Sequence, residues 1–119
     1  KEAYAKLIAK EIENLAKHHH EIIIVDGLYS WSEYKYFKKK YGEHAIVIAI
    51  TAPRTLRHKR LTIRTERPLT KEQADARDYA EIETIEKGGP IANADYTIVN
   101  ESDLTNLLTQ LDNIVKKIV

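Results

Sequence analysis

The feature that most constrains this chain is an unbroken apolar run, Ile22-Ile23-Ile24-Val25, that leads directly into Asp26 and Gly27. β-Branched residues without polar alternation predict a strand covered on both faces, as in the parallel sheet of an α/β protein. The carboxyl end of such a strand is where α/β domains place their chemistry, so Asp26 is a candidate functional residue. The alternative is that this carboxylate only ends the strand and caps the next turn.

Two further apolar runs, residues 45–50 and 96–99, predict two more strands, and helical patterns separate the three runs. We expect parallel strands near residues 22–26, 45–51 and 95–100. Right-handed crossovers would place helices on both sides of this sheet and give a three-layer α/β/α fold. The 119 residues are expected to form one domain.

Two helix starts have the spacing of a capping box, in which a hydroxyl residue precedes Glu or Gln by three positions. Ser30 with Glu33 is the first, and Thr70 with Gln73 is the second. Gly42 is expected to end the helix that Ser30 begins.

Residues 54–88, between the second and third strands, predict two helices with thin apolar stripes, an excursion typical of a mobile lid. Ile82 and Ile85 are the expected anchors of the second helix, which should end at Gly88-Gly89-Pro90. Ser102 is the expected cap of the last helix, which carries a broad apolar stripe.

The first lid helix is rich in arginine. A solvated basic face is one interpretation of such a run, but arginine forks are also the preferred partners of phosphate oxygens. The residues concerned are Arg54, Arg57, Arg60 and Arg64 in the helix and Arg67 just beyond it.

The charge balance argues against a nucleic-acid partner, since 19 basic and 18 acidic residues leave a net charge of +1. The absence of cysteine excludes a disulfide, a zinc–thiolate site and a thiol nucleophile in this sequence.

No apolar run is long enough to cross a membrane, so we expect a cytoplasmic location and no membrane partner. His18–His20 is expected to be a solvated connection rather than a metal site, because adjacent helical side chains point about 100° apart.

The sequence contains no methionine and begins at Lys1, and its first helical pattern opens without a capping residue. We therefore expect this chain to be the C-terminal part of a longer protein.

The order and spacing of these features resemble the C-terminal two-thirds of a P-loop kinase of the nucleoside-monophosphate and dephospho-CoA kinase type. The resemblance is strongest to the adenylate-kinase-related proteins of archaea and some bacteria, and it extends over nearly the whole chain. It is carried by Ile23–Gly27, the Ser30–Glu33 helix start, Thr51-Ala52-Pro53 followed by Arg60 and Arg64, Ala76-Arg77-Asp78, and Ala94–Asn100.

The resemblance implies ATP and Mg²⁺ as cofactors and a small-molecule phosphoryl acceptor as substrate. Asp26 would be the acid that ends the Walker B-like strand, where it acts on Mg²⁺ through water or positions the acceptor. Arg60 and Asn100 would contact the nucleotide cofactor. In such kinases the strand that precedes the P-loop lies between the first two of the strands expected here.

The resemblance also implies catalytic roles for three lid arginines. Arg64 and Arg67 resemble residues that neutralise charge on the transferred phosphoryl group, and Arg77 resembles the arginine of the second lid helix. Such contacts stabilise a transition state electrostatically. Surface salt bridges with neighbouring carboxylates are the alternative for each.

One departure from the family is large, because no Gly-x-x-x-x-Gly-Lys-Ser/Thr motif occurs among the 119 residues. We therefore expect an ATP-dependent phosphotransferase, acting on a nucleotide or dephospho-CoA-like acceptor, in the form of an incomplete chain that is inactive alone. The main alternative is a non-catalytic α/β module that binds a partner or regulates one. A phosphatase or receiver-like domain would need a second acid beside Asp26. The sequence leaves both a monomer and a homo-oligomer as alternatives.

Overall fold

The computed structural model describes residues 2–18, 22–83 and 88–118, apart from the side chain of residue 83, and it is a mostly helical α/β structure. Its elements, in chain order, are α1 (Glu2–Lys17), α2 (Trp31–Tyr41), a 3₁₀ turn (Gly42–His44), β1 (Ile48–Thr51), α3 (Arg54–Ile63), α4 (Lys71–Glu83), α5 (Gly88–Ala92), β2 (Tyr96–Val99) and α6 (Leu104–Ile118). Of the expected histidine run, His18 is exposed, and His19 and His20 lie outside the described residues.

The chain divides into two compact units. The first unit comprises Lys1–Ile46 and Glu81–Asn93, and it contains α1, α2 and α5. The second unit comprises Val47–Ala80 and Ala94–Val119, and it contains β1, α3, most of α4, β2 and α6.

The sheet of the second unit confirms the parallel pairing expected for the later two strands. β1 and β2 run parallel in a register that pairs Ile48 with Tyr96 and Thr51 with Val99. The ladder begins with a side chain, because the Asp95 carboxylate accepts a hydrogen bond from Val47 N at 2.7 Å. In return, Asp95 N donates to Val47 O at 2.8 Å.

The prediction of a strand at residues 22–26 is wrong. Residues 22–30 form neither helix nor strand. The side chains of Ile22, Ile24 and Val25 are exposed, Ile24 by 88%, and Ile23 is half-buried. A strand is held by main-chain hydrogen bonds to a neighbouring strand, and the sheet in the described part of the chain consists of β1 and β2. The run therefore has the composition of a buried strand but no pairing partner among the described residues. Among the described residues, the sheet has two strands instead of the expected three, and the α/β class is confirmed.

Helix α2 confirms the expected capping box. The Ser30 hydroxyl accepts a hydrogen bond from Glu33 N at 3.2 Å and donates one to Glu33 Oε1 at 2.9 Å. Gly42 ends the helix as expected, at a φ of 58° that favours glycine, with its N–H bonded to Lys38 O. Lys40 of α2 pairs with Glu13 of α1 at 2.8 Å.

Helix α5 corrects the expectation that Gly88-Gly89-Pro90 ends a helix, because it begins one there. Pro90 is tolerated because it lies in the first turn, where main-chain N–H groups have no partner within the helix. Gly89 is required by packing, since a Cβ at this position would lie 2.6 Å from Cε3 of Trp31 in α2.

Helix α4 starts with the expected capping box, in which Thr70 N donates to Gln73 Oε1 at 2.9 Å and Gln73 N donates to Thr70 Oγ1 at 3.2 Å. Ile82 is not an anchor, because its side chain is mostly exposed, and Ile85 lies outside the described residues. Among the described side chains of α4, Ala74 is buried.

Helix α6 is capped by Asp103 and not by Ser102. The Asp103 carboxylate accepts a hydrogen bond from Asn106 N at 2.8 Å, the spacing at which an N-cap side chain reaches the first turn. On its inner face, Ile114 is buried and Gln110 bonds both main-chain groups of Val99 in β2.

Among the described residues, no helix has the length and apolar character that a membrane crossing needs.

Candidate functional site

The carboxyl ends of β1 and β2 meet side by side in the second unit. Asn100, the residue after β2, donates its main-chain N–H to the carbonyl oxygen of Thr51, the last residue of β1, at 2.6 Å. The edge at which parallel strands end is the usual binding edge of an α/β sheet.

Arg60 of α3 reaches this edge. Its Nη1 donates to the Asn100 carbonyl at 2.7 Å and its Nη2 to the Ser102 carbonyl at 3.4 Å. The structure thus brings together the two residues expected to bind the nucleotide cofactor. A guanidinium has five N–H donors, and these two contacts leave donors of Arg60 for an oxyanion at this edge.

Arg57, one turn before Arg60, faces α4 instead. Its guanidinium forms a two-pronged contact with Asp78, with Nη1 to Oδ1 at 2.9 Å and Nη2 to Oδ2 at 3.3 Å. Its Nε donates to the carbonyl of Ala52, directly after β1, at 3.3 Å. Arg57 therefore connects the end of β1 to helix α4.

His58 completes this connection from a buried position on α3. Its Nε2 lies 2.8 Å from Asp78 Oδ2, and its Nδ1 lies 3.7 Å from Asp75 Oδ1. Arg54 pairs with Asp75 closer to the surface. Two carboxylates of α4 thus contact three cationic or imidazole side chains of α3, and we call these five residues the α3–α4 cluster.

The cluster shifts the titration of one member. Hydrogen bonds from the Arg57 guanidinium hold the pKa of the Asp78 carboxyl below its ordinary value, with a smaller contribution from His58, and burial opposes the shift. Asp78 is therefore held in its ionised form by the residues that join it to α3.

The two expected lid arginines near the end of α3 contact each other. Arg64, at the C-cap of α3, donates from Nε to the carbonyl of Arg67 at 2.6 Å. Arg67 has a φ of 47°, a left-handed conformation that costs a non-glycine residue energy. The side chain of Arg64 thus closes the turn that leads to α4, while the Arg67 side chain is exposed.

Arg77 lies on α4 of the second unit with an exposed side chain. Asp26 belongs to the first unit, where it is exposed and directly precedes Gly27, whose φ is 87°. The expected catalytic residues are thus divided between the units, with Asp26 in one and the three arginines in the other.

The described residues contain no group of three or more His, Asp or Glu side chains placed to hold a metal ion. Mg²⁺ is often held by one or two carboxylates together with waters and substrate phosphates, so a single carboxylate such as Asp26 suits it. The fit to ATP is incomplete, because the 119 residues contain no glycine-rich phosphate-binding loop with its lysine. We therefore derive no chemical step through ATP.

The α3–α4 cluster contains residues that sequence reasoning missed as a group, namely His58, Asp75 and Asp78. A signal for them is present in the spacing of charges. Arg54 and Arg57 are three residues apart on α3, and the two aspartates are three residues apart on α4, so each pair lies on one helix face.

No protein-family model matches the chain. It is similar over 98% of its length to a UPF0200 protein from Thermococcus sibiricus, at 34% identity, and over its full length to a UPF0200 protein from Sulfurisphaera tokodaii, at 36% identity. A UPF0200 protein from Saccharolobus islandicus is 27% identical over 91% of the chain. The aligned region is 62%, 64% and 58% of these three proteins, respectively, so the chain spans less than two thirds of the length of these archaeal relatives.

Proposed function

We propose that this chain is part of a UPF0200-type protein that acts as an ATP-dependent phosphotransferase on a small molecule. Similarity over the whole chain at 34 and 36% identity supports the family assignment. The names of these relatives state no activity, so the reaction is inferred from the geometry of the second unit and from the resemblance to P-loop kinases.

The observation that carries the proposal is the position of Arg60 at the carboxyl edge of the parallel strands. Its guanidinium is fixed by the Asn100 carbonyl at 2.7 Å, on the residue that is itself bonded to Thr51. A guanidinium held by main-chain carbonyls needs little reorganisation when it binds a phosphate oxygen. The role we assign to Arg60 is therefore binding and charge neutralisation at a phosphoryl group.

The lid arginines extend this role. Arg64 and Arg67 lie in the turn between α3 and α4, and Arg77 lies on α4. The α3–α4 cluster joins the two helices, so a motion of this segment would carry all three arginines together. Arginine residues that arrive with a closing lid stabilise the charge of a transferred phosphoryl group.

The acceptor belongs to one of two classes in this proposal, a nucleoside monophosphate or a dephospho-CoA-like molecule. Both carry a hydroxyl or phosphate nucleophile on a nucleotide. Asp26 is the residue we assign to positioning that acceptor or a water-coordinated Mg²⁺.

A non-catalytic partner-binding or regulatory module is the second candidate. The exposed side chains of Ile22, Ile24 and Val25 and the incomplete fit to ATP favour this candidate. The coding sequence upstream of Lys1 distinguishes the two candidates. A Gly-x-x-x-x-Gly-Lys-Ser/Thr motif within a few dozen codons supports the kinase, and a start codon at α1 supports the module.

The direct experiment is phosphoryl transfer from γ-labelled ATP with the longest natural form of the protein. The acceptor panel contains nucleoside monophosphates, dephospho-CoA and a no-acceptor control, each with Mg²⁺ and with excess chelator. We expect chelator-sensitive label in one acceptor class. Label in none of the acceptors, from a protein shown to be folded by circular dichroism, contradicts the proposal.

A further inference from the structure

His58 of α3 holds a carboxylate of α4 from a buried position, with its Nε2 2.8 Å from Asp78 Oδ2. An ionised carboxylate only accepts hydrogen bonds, so Nε2 carries the proton and donates it to Asp78. The other ring nitrogen, Nδ1, lies 3.7 Å from Asp75 Oδ1, which is too far for a hydrogen bond. The bond to Asp78 is therefore the contact through which His58 acts on α4.

Asp78 also accepts hydrogen bonds from Arg57, but the two donors constrain α4 differently. The Arg57 guanidinium ends a long side chain with several rotatable bonds, so it can follow a displacement of α4 by changing its rotamer. The His58 imidazole is a short, rigid ring held in place by its burial. Its hydrogen bond is kept only at one position of α4, so His58 limits that position more than Arg57 does.

The position of α4 determines where Arg77 lies. Arg77 directly precedes Asp78 in this helix, and its side chain is exposed. Residues of one helix move together, because main-chain hydrogen bonds fix their relative positions. A displacement of about 1 Å can lower a catalysed rate by about 10²-fold, so the bond at Asp78 matters for any chemistry that uses Arg77.

We propose that His58 is a positioning residue, which fixes α4 so that Arg77 reaches the transferred phosphoryl group. This inference rests on the proposed phosphotransferase activity and adds to it a residue outside the set expected from the sequence. His58 is not itself a catalytic residue, because its ring is buried and faces α4. The alternative is a histidine that only stabilises the packing of α3 on α4.

The first experiment measures phosphoryl transfer by the longest natural form of the protein. His58→Ala should lower turnover by about 10–100-fold and leave the dissociation constant for ATP unchanged, because Arg77 acts mainly in the transition state. The matched control is Ile114→Ala, which removes a buried side chain of α6 and lowers stability by leaving a cavity. At a temperature at which circular dichroism shows both variants folded, Ile114→Ala should keep the turnover of the wild type. Equal losses of turnover in the two variants overturn the inference.

Two amide variants separate the contacts of the two ring nitrogens. The side-chain nitrogen of glutamine lies close to the place of the imidazole Nε2, and that of asparagine lies close to the place of Nδ1. His58→Gln should therefore keep the bond to Asp78 and recover most of the turnover, whereas His58→Asn should remain close to His58→Ala. Equal turnover in the glutamine and asparagine variants overturns the role of the bond to Asp78.

A double variant tests whether His58 acts through Arg77. If it does, the loss of His58 has no further effect once Arg77 is absent. His58→Ala combined with Arg77→Ala should then have the turnover of Arg77→Ala alone. Independent roles would multiply the two losses, and that result overturns the inference.

The position of α4 is measured separately from activity. The 119 residues contain no cysteine, so Thr55→Cys on α3 and Ala80→Cys on α4 give two spin labels at exposed positions. We expect His58→Ala to broaden the distribution of distances between the labels and His58→Gln to restore the distribution of the wild type. A distribution that His58→Ala leaves unchanged overturns the inference even when the wild type is active. A wild type that transfers no phosphoryl group overturns the proposed function instead, and the role through Arg77 with it.

Discussion

Arg57 and Arg60 lie one turn apart on α3, and their side chains bind to different elements of the second unit. Arg57 joins α4 through Asp78, and Arg60 joins the carbonyl after β2. Their spacing places both on one side of the helix, which suggests a single basic face. In the part of the chain that the structure describes, Arg57 has a carboxylate partner, whereas the partners of Arg60 are neutral carbonyl oxygens. Arg60 therefore retains more positive potential for an anion.

The first prediction at this scale concerns Arg60 in the longest natural form of the protein. Arg60→Ala should lower turnover by about 10²–10³-fold, because a preorganised donor is lost at the phosphoryl group. Arg60→Lys should recover part of this loss, since it keeps the charge without the fork. Steady-state phosphoryl transfer measures both.

Arg54→Ala is the matched control for Arg60→Ala. Arg54 is a more exposed arginine of the same helix whose partner is Asp75. It should leave turnover within about twofold, since surface ion pairs contribute little. Equal losses for Arg54→Ala and Arg60→Ala would show that α3 matters only for stability.

The second prediction at this scale concerns the pH dependence of stability. Because the pKa of Asp78 is lowered from the ordinary value of 3.8, its contribution is complete above that value. The contribution is lost as the pH falls through the folded-state pKa. Asp78→Asn should lower the free energy of unfolding at pH 7 by about 1–3 kcal/mol and make the loss of stability below about pH 4 shallower.

Urea unfolding between pH 2.5 and 7 measures this effect. Asp75→Asn is the control on the same helix, and its more exposed partner Arg54 should limit the change to about 1 kcal/mol. If the free energy of unfolding falls with decreasing pH as steeply in Asp78→Asn as in the wild type, the lowered pKa of Asp78 is not the source of this pH dependence.

At the scale of elements, the two capping boxes have the same spacing but different surroundings. Ser30 is 1% exposed and Glu33 is 6% exposed, whereas Thr70 and Gln73 are exposed. The buried hydroxyl satisfies both a main-chain N–H and a carboxylate oxygen, so its loss leaves two polar groups without this partner.

We therefore expect Ser30→Ala to destabilise the protein by about 1–3 kcal/mol and Thr70→Ala by about 1 kcal/mol or less. Chemical denaturation followed by circular dichroism measures both changes. A larger loss for Thr70→Ala than for Ser30→Ala would contradict the burial-based account of α2.

Local signals predicted the elements that local interactions determine. The hydroxyl and carboxyl side chains at Ser30 and Glu33 are three residues apart, so their hydrogen bonds depend on nearby sequence. The parallel pairing of β1 with β2 was also predictable from two apolar runs separated by helices. The apolar run Ile22–Val25 shows where prediction from local sequence fails. Its composition predicts a buried strand, but composition does not reveal whether a partner strand is present. The α3–α4 cluster was missed because it depends on which helix faces which.

At the scale of the whole molecule, the chain consists of two units, and it matches less than two thirds of the length of its relatives. The second unit contains Arg60 at the edge of its sheet, and the first contains the exposed run that ends in Asp26. In our proposal, the phosphate-binding loop that this sequence lacks belongs to the remaining length of the complete protein.

A prediction at this scale concerns Arg77 in the longest natural form. Arg77→Ala should lower turnover far more than nucleotide affinity, because a lid arginine acts mainly on the transferred phosphoryl group in the transition state. Turnover and the dissociation constant for ATP are measured on the same preparation. A change in affinity with unchanged turnover would remove Arg77 from the proposed catalytic set.

The most direct measurement compares ATP binding and Mg²⁺-dependent phosphoryl transfer by residues 1–119 alone and by the longest natural form. Positioning of the phosphates contributes roughly 7–11 kcal/mol in favourable cases, more than arginines without a phosphate-binding loop supply. We predict that the longer form binds ATP and transfers its γ-phosphoryl group, whereas the 119-residue chain does neither at micromolar ATP. Micromolar binding together with magnesium-dependent turnover by residues 1–119 alone, or no transfer by the longer form, would contradict the account.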